Sequence, residues 1–314
     1  MDKLTVKSDI LLLLTSTIWG FAFVAQRIGM DFVGPFTFNG IRFALGSLAL
    51  VPFIAAGRLH RSKTVRPESV GKGSVSEIPG GLLAGAILFL GASLQQVGIV
   101  YTTAGNAGFI TGLYVVLVPV LGLFWRFKPG AGTWVGTVLA AAGLYFLSVN
   151  ESLRLSRGDL LVLMSAVMWA FHVLLIGWLS PKGNPLTLAC TQFAVCSAMS
   201  LAVALVAEPI TMDGIRGALI PILYGGLLSV GLAYTLQVVA QRHAPPAHAA
   251  VLLSLEGAFA ALGGRLILSE QMGLRGYTGC TLMLAGMLVS QLWGKRAIGM
   301  KSPSRSCKSE GPKV

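Results

Sequence analysis

The chain has 314 residues, of which 54% are hydrophobic and only 11% are charged, and its formal net charge is +12. A soluble domain carries roughly a quarter charged residues, so this composition excludes an ordinary soluble globular protein. The basic residues cluster in loops and in the C-terminal tail beside apolar runs, and this distribution argues against a nucleic-acid-binding surface.

The first predicted element is an apolar helix behind a short basic N-terminus, MDKLTVKSDILLLLTSTIWGFAFVA. Lysines followed by apolar residues are also typical of a signal peptide. The apolar part is too long for one, it lacks a clear small-x-small cleavage site, and many similar runs follow it. We therefore predict that it is retained as the first membrane span.

Apolar runs of this kind recur along the whole chain, and each is about as long as the 20 residues that a membrane-spanning helix needs. The apolar residues do not alternate with a period of two, so helices are favoured over the strands of a barrel. The ten predicted spans are 9–29, 35–56, 79–101, 104–125, 131–149, 159–180, 185–207, 216–240, 246–268 and 274–293.

The two halves of the chain resemble each other. DILLLLTSTIWGF at 9–21 aligns with DLLVLMSAVMWAF at 159–171, and LQQV at 94–97 aligns with LQVV at 236–239. The other matching stretches, in the same order, are 35–43 with 185–193 and 134–143 with 277–286. Each half therefore holds five spans.

The basic residues predict how these halves are oriented. Loops on the side of both termini hold about 17 lysines and arginines, and the opposite loops hold about five or six. The positive-inside bias thus predicts that both termini are cytoplasmic. Because five is an odd number, the second half enters the membrane upside down relative to the first, which is typical of secondary transporters.

The predicted fold is therefore an all-α integral membrane protein with ten transmembrane helices, built as two inverted five-helix repeats. The first repeat covers 1–150 and includes a basic cytoplasmic loop at 57–78. The second repeat covers 151–294, and a basic cytoplasmic tail follows at 295–314.

Three stretches resemble a known transporter family. STIWGFAFVAQR, GNAGFITGLYVVLVPVLG and LLSLEGAFAALGG followed by LSE are similar to sequences of the ten-helix, EamA-type transporters of the drug/metabolite transporter superfamily. This resemblance implies export of a small organic metabolite, such as an amino acid, a sugar or a drug, from a bacterial inner membrane. The family often has Glu-Pro in the ninth span where this chain has Glu256-Gly257, so a kink there would depend on a flexible glycine.

Glu256 is the leading candidate for a functional residue, because it lies about ten residues into the ninth span and so near the midplane. Small residues on its helical face predict that it points into the bundle. At that depth a carboxylate is a candidate partner for a cationic substrate group or for a proton. The alternative is a structural carboxylate that neighbouring hydroxyl or backbone groups satisfy.

Arg42 and Asn39 share a face of the second span that is predicted to point inward. The guanidinium of Arg42 could reach Glu256 or receive a substrate carboxylate. Alternatively, it could extend to the outer headgroups, as a long basic side chain can from this depth.

Aromatic residues in matching positions suggest walls for a cavity. Trp19 and Trp169 both lie near mid-membrane, away from the interfacial belts where tryptophan is usual, although bulky core packing explains them equally well. His172 lies at nearly the depth of Glu256 and is either a proton relay or a hydrogen-bonded core residue. Tyr114 is the repeat partner of Glu256.

The remaining polar candidates lie nearer the span ends. Asn106, two turns before Tyr114, could line the same cavity. Gln95 and Gln237 match each other in the repeat, and their positions favour gate or headgroup contacts over central binding. The spacings Gly132–Gly136 and Gly276–Gly279 predict close helix packing, within the chain or in a homodimer.

No catalytic motif competes with these features. The chain lacks a nucleophile paired with a base, a phosphate-binding loop, a metal-like cysteine pair and a nucleotide-binding domain, so we predict no enzyme activity, no cofactor and no metal. The prediction is a secondary transporter of a small molecule that works by alternating access, with possible proton exchange at Glu256. The alternative function is a membrane scaffold or sensor subunit that transports nothing.

Overall fold

The computed structural model of the chain describes residues 3–64, 77–124, 128–148, 156–269 and 273–293. Every regular element in these ranges is helical. The elements are α1 (Lys3–Gly29), α2 (Pro35–Thr64), α3 (Glu77–Ile99), α4 (Ala104–Gly112), α5 (Tyr114–Phe124), α6 (Ala131–Ser148), α7 (Arg157–Leu179), a 3₁₀ turn (Ser180–Lys182), α8 (Pro185–Ala207), α9 (Met212–Gly217), α10 (Leu219–Leu223), a π-helical segment (Tyr224–Tyr234), α11 (Thr235–Ala240), α12 (Pro246–Leu253), α13 (Glu256–Ile267) and α14 (Leu274–Trp293).

The all-helical membrane fold predicted from the sequence is confirmed. Within the described ranges, eight helical stretches are long and apolar enough to cross a membrane, and all eight coincide with predicted spans. The fifth and tenth predicted spans coincide with α6 and α14, which hold the shorter apolar segments Ala131–Gly143 and Tyr277–Ser290.

The basic connection after the second span begins later than predicted. The helix α2 continues to Thr64, well into the segment 57–78 that was expected to be a loop. This extension, GRLHRSKT, contains no proline that would end the helix earlier. The rest of the predicted loop, from 65 to 76, and the basic tail at 295–314 lie outside the described residues.

Two spans are broken near their middle, and these two breaks position the site. The fourth span consists of α4 and α5, and the ninth consists of α12 and α13. Because α4 packs against α13 while α5 packs against α12, the two broken spans run antiparallel to each other. Their halves begin at matching positions of the repeat, Ala104 with Pro246 and Tyr114 with Glu256.

The two ends of the bundle differ in the helix termini that they bring together. One end, which we call the vestibule end, contains the end of α1 at Arg27 and the start of α7 at Asp159 around one pocket. The opposite end, which we call the terminal end, joins Asp9 near the start of α1 to His248 near the start of α12. The helices α1 and α7 thus start at opposite ends, which is the relation between inverted repeats.

Glycines bring α6 and α14 into close contact at the periphery. A Cβ added to Gly136 would lie 2.6 Å from the carbonyl oxygen of Gly286, and one added to Gly143 would lie 2.6 Å from the carbonyl oxygen of Gly279. Small residues allow backbones to approach in this way. Gly136 therefore packs within the chain, and a homodimer remains a prediction.

Candidate functional site

A small cavity with both apolar and polar lining residues lies at the centre of the bundle, between the two broken spans. The space open to water inside it is about 30 Å³, enough for one or two water molecules. Its lining residues are Trp19, Ala22, Phe23, Gln26, Arg42, Gln95, Thr111, Tyr114, Trp169, His172, Val173, Ser229, Tyr234, Gln237 and Glu256.

The break in the ninth span places Glu256 at this cavity. At the break the Leu255 amide donates to the Leu252 carbonyl at 3.3 Å, so the Val251 carbonyl loses its usual helical partner. The Ser254 hydroxyl donates to that carbonyl at 2.9 Å and so satisfies it. Glu256 follows as the first residue of α13. The ninth span is therefore broken immediately before Glu256 and Gly257, and no proline lies at the break.

The Glu256 side chain is buried at 3% exposure, and its Oε1 has no hydrogen-bond partner. Tyr114, the first residue of α5 after the matching break, brings its hydroxyl beside the Glu256 carboxyl. That hydroxyl has no hydrogen-bond partner of regular geometry either. Apart from their proximity to each other, these two buried polar atoms have no hydrogen-bond partner of regular geometry in the protein, and both line the cavity.

Arg42 reaches the cavity from α2 and is also buried, at 2% exposure. Its guanidinium lies 5.4 Å from the ring centroid of Phe38 and 5.0 Å from that of Phe43, within the range of cation–π attraction. Gly225 of the π-helical segment leaves space for its aliphatic stem, because a Cβ there would lie 3.3 Å from the Arg42 Cδ.

Arg42 and Glu256 line one cavity without forming an ion pair. Among the described residues, the ion pairs within 4 Å join Arg27 to Asp31, Arg216 to Asp213 and His248 to Asp9. The Arg42 Nε also has no hydrogen-bond partner. The direct contact between Arg42 and Glu256 that the sequence analysis considered is therefore not formed in this structure.

Aromatic rings form one wall of the cavity around Tyr234. The ring centroids of Trp19 and Tyr234 are 4.4 Å apart, and those of Trp169 and Tyr234 are 6.0 Å apart. His172 contacts Tyr234 edge to face at 6.2 Å. Both tryptophan rings thus contact Tyr234, which the sequence analysis did not single out. It was missed because no aromatic residue of the first half matches it in the repeat.

His172 is held by α8. Its Nε2 lies 2.8 Å from the Gln192 Oε1, while its Nδ1 has no partner. His172 is therefore hydrogen-bonded through one of its two ring nitrogens, as the core alternative predicts. The other ring nitrogen is buried beside the cavity, and a role of His172 in proton transfer stays a prediction.

Gln95 and Gln237 line the cavity although both lie near the ends of their spans, and a gate role for them stays a prediction. Gln95 accepts a hydrogen bond from Trp169 Nε1 at 2.8 Å and donates one to Gln26 at 3.1 Å. Gln237 donates to Gln241 at 3.0 Å, and its own Oε1 has no partner. Long amide side chains reach inward from span ends, which counting residues along a helix does not reveal.

Two of the predicted binding residues lie elsewhere. Asn39 is fully buried and donates to the Ala92 carbonyl at 3.1 Å, so it joins α2 to α3 outside the cavity lining. Asn106 lies at the vestibule end. It misses the central cavity because it stands two turns before the break, towards the start of α4.

Asn106 belongs to the second pocket, which we call the vestibule. Its volume is about 650 Å³. It is lined by Arg27, Ile28, Asp31, Val100, Tyr101, Thr102, Thr103, Asn106, Ser156, Asp159 and Leu268. In the part of the chain that the structure describes, no group of three His, Cys, Asp or Glu side chains converges as a metal site.

Known proteins match this chain over nearly its whole length. The model of the EamA-like transporter family matches twice, at residues 6–149 and at 156–291. An uncharacterized transporter of Archaeoglobus fulgidus is 31% identical, over 91% of this chain and 86% of its own. The threonine/homoserine exporter RhtA of Escherichia coli is 28% identical, over 91% of this chain and 89% of its own. A solved crystal structure shares the fold with a TM-score of 0.73 and 16% identity, covering 92% of this chain and 98% of that one.

Proposed function

Because this chain belongs to the EamA-like transporter family, we propose that it exports a small zwitterionic solute of the amino-acid class by alternating access. The observation that carries the proposal is that a basic and an acidic side chain, Arg42 and Glu256, are both buried around one cavity without an ion pair between them. An α-amino acid carries the complementary pair of charges on adjacent atoms.

The cost of burying these two charges explains why a ligand is expected. Removing a charged group from water costs several kcal/mol unless a partner compensates for it. Ionisable residues at mid-membrane depth are for this reason rare and usually functional. In the proposed complex the Arg42 guanidinium binds the solute carboxylate through paired N–H donors, and Glu256 accepts hydrogen bonds from the solute ammonium.

The named relatives support the same class of solute. RhtA, which matches over most of its length, is described as a threonine/homoserine exporter. Both of those solutes have the ammonium and carboxylate groups that Arg42 and Glu256 would bind. The aromatic wall around Tyr234 would contact the solute side chain.

The size of the cavity supports alternating access. A space of about 30 Å³ is too small for an amino acid, so the two halves must move apart to admit one. In this proposal the first five spans rock against the second five around Glu256 and Arg42. A proton would occupy Glu256 when the solute ammonium has left, with the Tyr114 hydroxyl beside it.

The multi-pass membrane protein would lie in a bacterial inner membrane with both termini in the cytoplasm, as the positive-inside bias predicts. The alternative function, a scaffold or sensor subunit, does not explain why Arg42 and Glu256 are buried without an ion pair. Saturable solute flux by the purified protein would exclude the scaffold.

The test uses purified protein in liposomes and follows uptake of radiolabelled threonine with and without a pH gradient. Two analogues with one charge each compete: isopropanolamine, which lacks the carboxylate, and 3-hydroxybutyrate, which lacks the ammonium. We expect unlabelled threonine to compete at least tenfold better than either analogue, because each analogue leaves one buried charge unpaired.

Glu256→Gln and Arg42→Gln should each lower the initial rate by about 100-fold, the effect of removing one partner from a desolvated charge pair. The matched controls are Asp213→Asn and Arg216→Gln, which change an exposed ion pair far from the cavity and should transport normally. Wild-type transport by both cavity variants would overturn the proposed binding mode. Transport by Glu256→Gln with an unchanged response to the gradient would overturn proton exchange at that residue.

A further inference from the structure

We propose that Asp9, His248 and Ser290 form a latch that holds the terminal end of the bundle closed, and that Asp159 and Asn106 are its counterpart at the vestibule end. The counterpart would close when the latch opens. This inference rests on the proposed alternating access and names the residues that hold its two end states.

The latch is a buried polar cluster outside the central site. The Nε2 of His248 lies 2.8 Å from the Asp9 carboxylate, and its Nδ1 lies 3.2 Å from the Ser290 hydroxyl. The three residues are 6%, 9% and 1% exposed for Asp9, His248 and Ser290 respectively. They come from α1, α12 and α14, so one imidazole ring joins three helices at the terminal end.

The composition of this cluster resembles a hydrolytic triad, but its surroundings do not suit catalysis. Neither of the two pockets described above is lined by any of these three residues. The cluster also sits where the starts of α1 and α12 meet. Its geometry therefore fits a fastening between helices.

The repeat relation identifies the counterpart. Asp159 matches Asp9 in the two aligned stretches of the repeat. His248 is the third residue of α12 and Asn106 is the third residue of α4, and these two helices occupy matching positions. The pair Asp159 and Asn106 is thus the equivalent, at the opposite end of the bundle, of the pair Asp9 and His248.

The two pairs are in opposite states. Asp159 and Asn106 both line the 650 Å³ vestibule, and no hydrogen bond joins them. The Asp159 carboxylate accepts from the Thr102 hydroxyl at 2.8 Å and from the Ser156 amide at 3.0 Å. The structure is therefore fastened at the terminal end and open at the vestibule end.

The two aspartates have different partners, histidine at one end and asparagine at the other, and this difference favours one of the two end states of the transporter. Histidine reaches farther than asparagine and makes the stronger hydrogen bond to a carboxylate whenever it is protonated. A latch with histidine at one end and asparagine at the other favours the state that is open to the vestibule. Exchanging the two residues should reverse that preference.

The experiment measures thiol labelling by a membrane-impermeant maleimide in detergent, without substrate, after the native cysteines have been replaced by alanine. A cysteine at Thr103 reports on the vestibule, and a cysteine at Ala244, which is 4% exposed, reports on the terminal end. His248→Asn should raise the labelling rate at Ala244 by about tenfold, since one state loses a hydrogen bond to a charged group. Asn106→His should lower the rate at Thr103 by a similar factor.

Two controls separate the latch from unrelated effects. His243→Asn makes the same change at an exposed histidine of the terminal end and should leave both labelling rates unchanged. Asn106→His combined with Asp159→Asn should lose the effect of Asn106→His, because the new histidine has no carboxylate to bind. The double exchange of Asn106→His with His248→Asn should produce both changes in labelling together.

Unchanged labelling in the exchanged variants, with normal threonine uptake, would overturn the latch and leave the proposed function intact. An equal effect of His248→Asn and His243→Asn would also overturn it. Altered labelling in a protein that transports no tested solute would support the latch and count against the proposed substrate.

Discussion

The two broken spans, α4–α5 and α12–α13, share one backbone design and differ in chemistry. In both, a break near mid-membrane is followed by the residue that faces the cavity, Tyr114 in the first and Glu256 in the second. Only the second carries a charge. The comparison teaches that two matching helix breaks present different side chains to one cavity, so that only the second half supplies a carboxyl group there.

The break itself is supported differently in the two copies. Ser254 donates its hydroxyl to the carbonyl released at the second break, whereas the matching position in the first copy is Gly112. One geometry is thus reached by different local means.

Placing a carboxyl group at both matching positions, 114 and 256, should have the largest effect on stability. Tyr114→Glu would place a second carboxylate beside Glu256 in a cavity of about 30 Å³. We expect the free energy of unfolding to fall by about 3 kcal/mol or more, because a second carboxyl group would be buried beside Glu256 without a basic partner. Thermal unfolding of the purified protein in detergent measures this change. Tyr101→Glu, at a 63% exposed site of the vestibule end, is the control, and an equal loss in both variants would contradict the comparison.

The crossing of the two broken spans provides the next test. A Cβ on Gly108 of α4 would lie 2.6 Å from the Ala260 Cβ of α13, so Gly108→Ala should destabilise by about 1–3 kcal/mol through overpacking. Adding Ala260→Gly moves the methyl group to the other helix and should restore most of the lost melting temperature. Gly130→Ala, where nothing lies within 4 Å of the new atom, should have no such effect. Failure of the second substitution to rescue the first would show that the two helices do not meet at this point.

A smaller effect, on transport, is expected from substituting Tyr114, the residue that matches Glu256 in the first half. Tyr114→Phe removes a hydroxyl that lies beside Glu256, and transport should fall by about fivefold, which corresponds to one neutral hydrogen bond of about 1 kcal/mol. Initial uptake rates measure this loss against that of Glu256→Gln. Tyr224→Phe removes a hydroxyl that donates to the Ile18 carbonyl at 3.0 Å outside the cavity, and transport should be unaffected. Equal losses in Tyr114→Phe and Glu256→Gln would mean that both copies contribute the same chemistry.

The smallest effect concerns the support of the second break. Ser254→Ala leaves the buried Val251 carbonyl without its hydroxyl donor and should lower stability by about 1 kcal/mol. Thr17→Ala removes a similar hydroxyl from the intact helix α1, where the Leu13 carbonyl keeps its place in the helical ladder. A shift in melting temperature no larger than that of Thr17→Ala would indicate that the break is set by packing alone.

The sequence alone determined the class of this protein and the course of its spans, because hydropathy reports directly which segments prefer hydrocarbon to water. It also predicted the position of Glu256 in the middle of the ninth span and its match with Tyr114 in the repeat, since both follow from counting residues along helices and between matching stretches. The family was recognisable from short stretches around these positions.

Only the tertiary structure decided which side chains meet. It brought Gln95, Gln237 and Tyr234 to the cavity, and it moved Asn39 and Asn106 away from it. It also left Arg42 and Glu256 unpaired, and it fastened Asp9 to His248. The physical reason is that a periodic pattern shows which face of a helix is buried, whereas contacts depend on how far a side chain reaches and on which helix the packing places opposite.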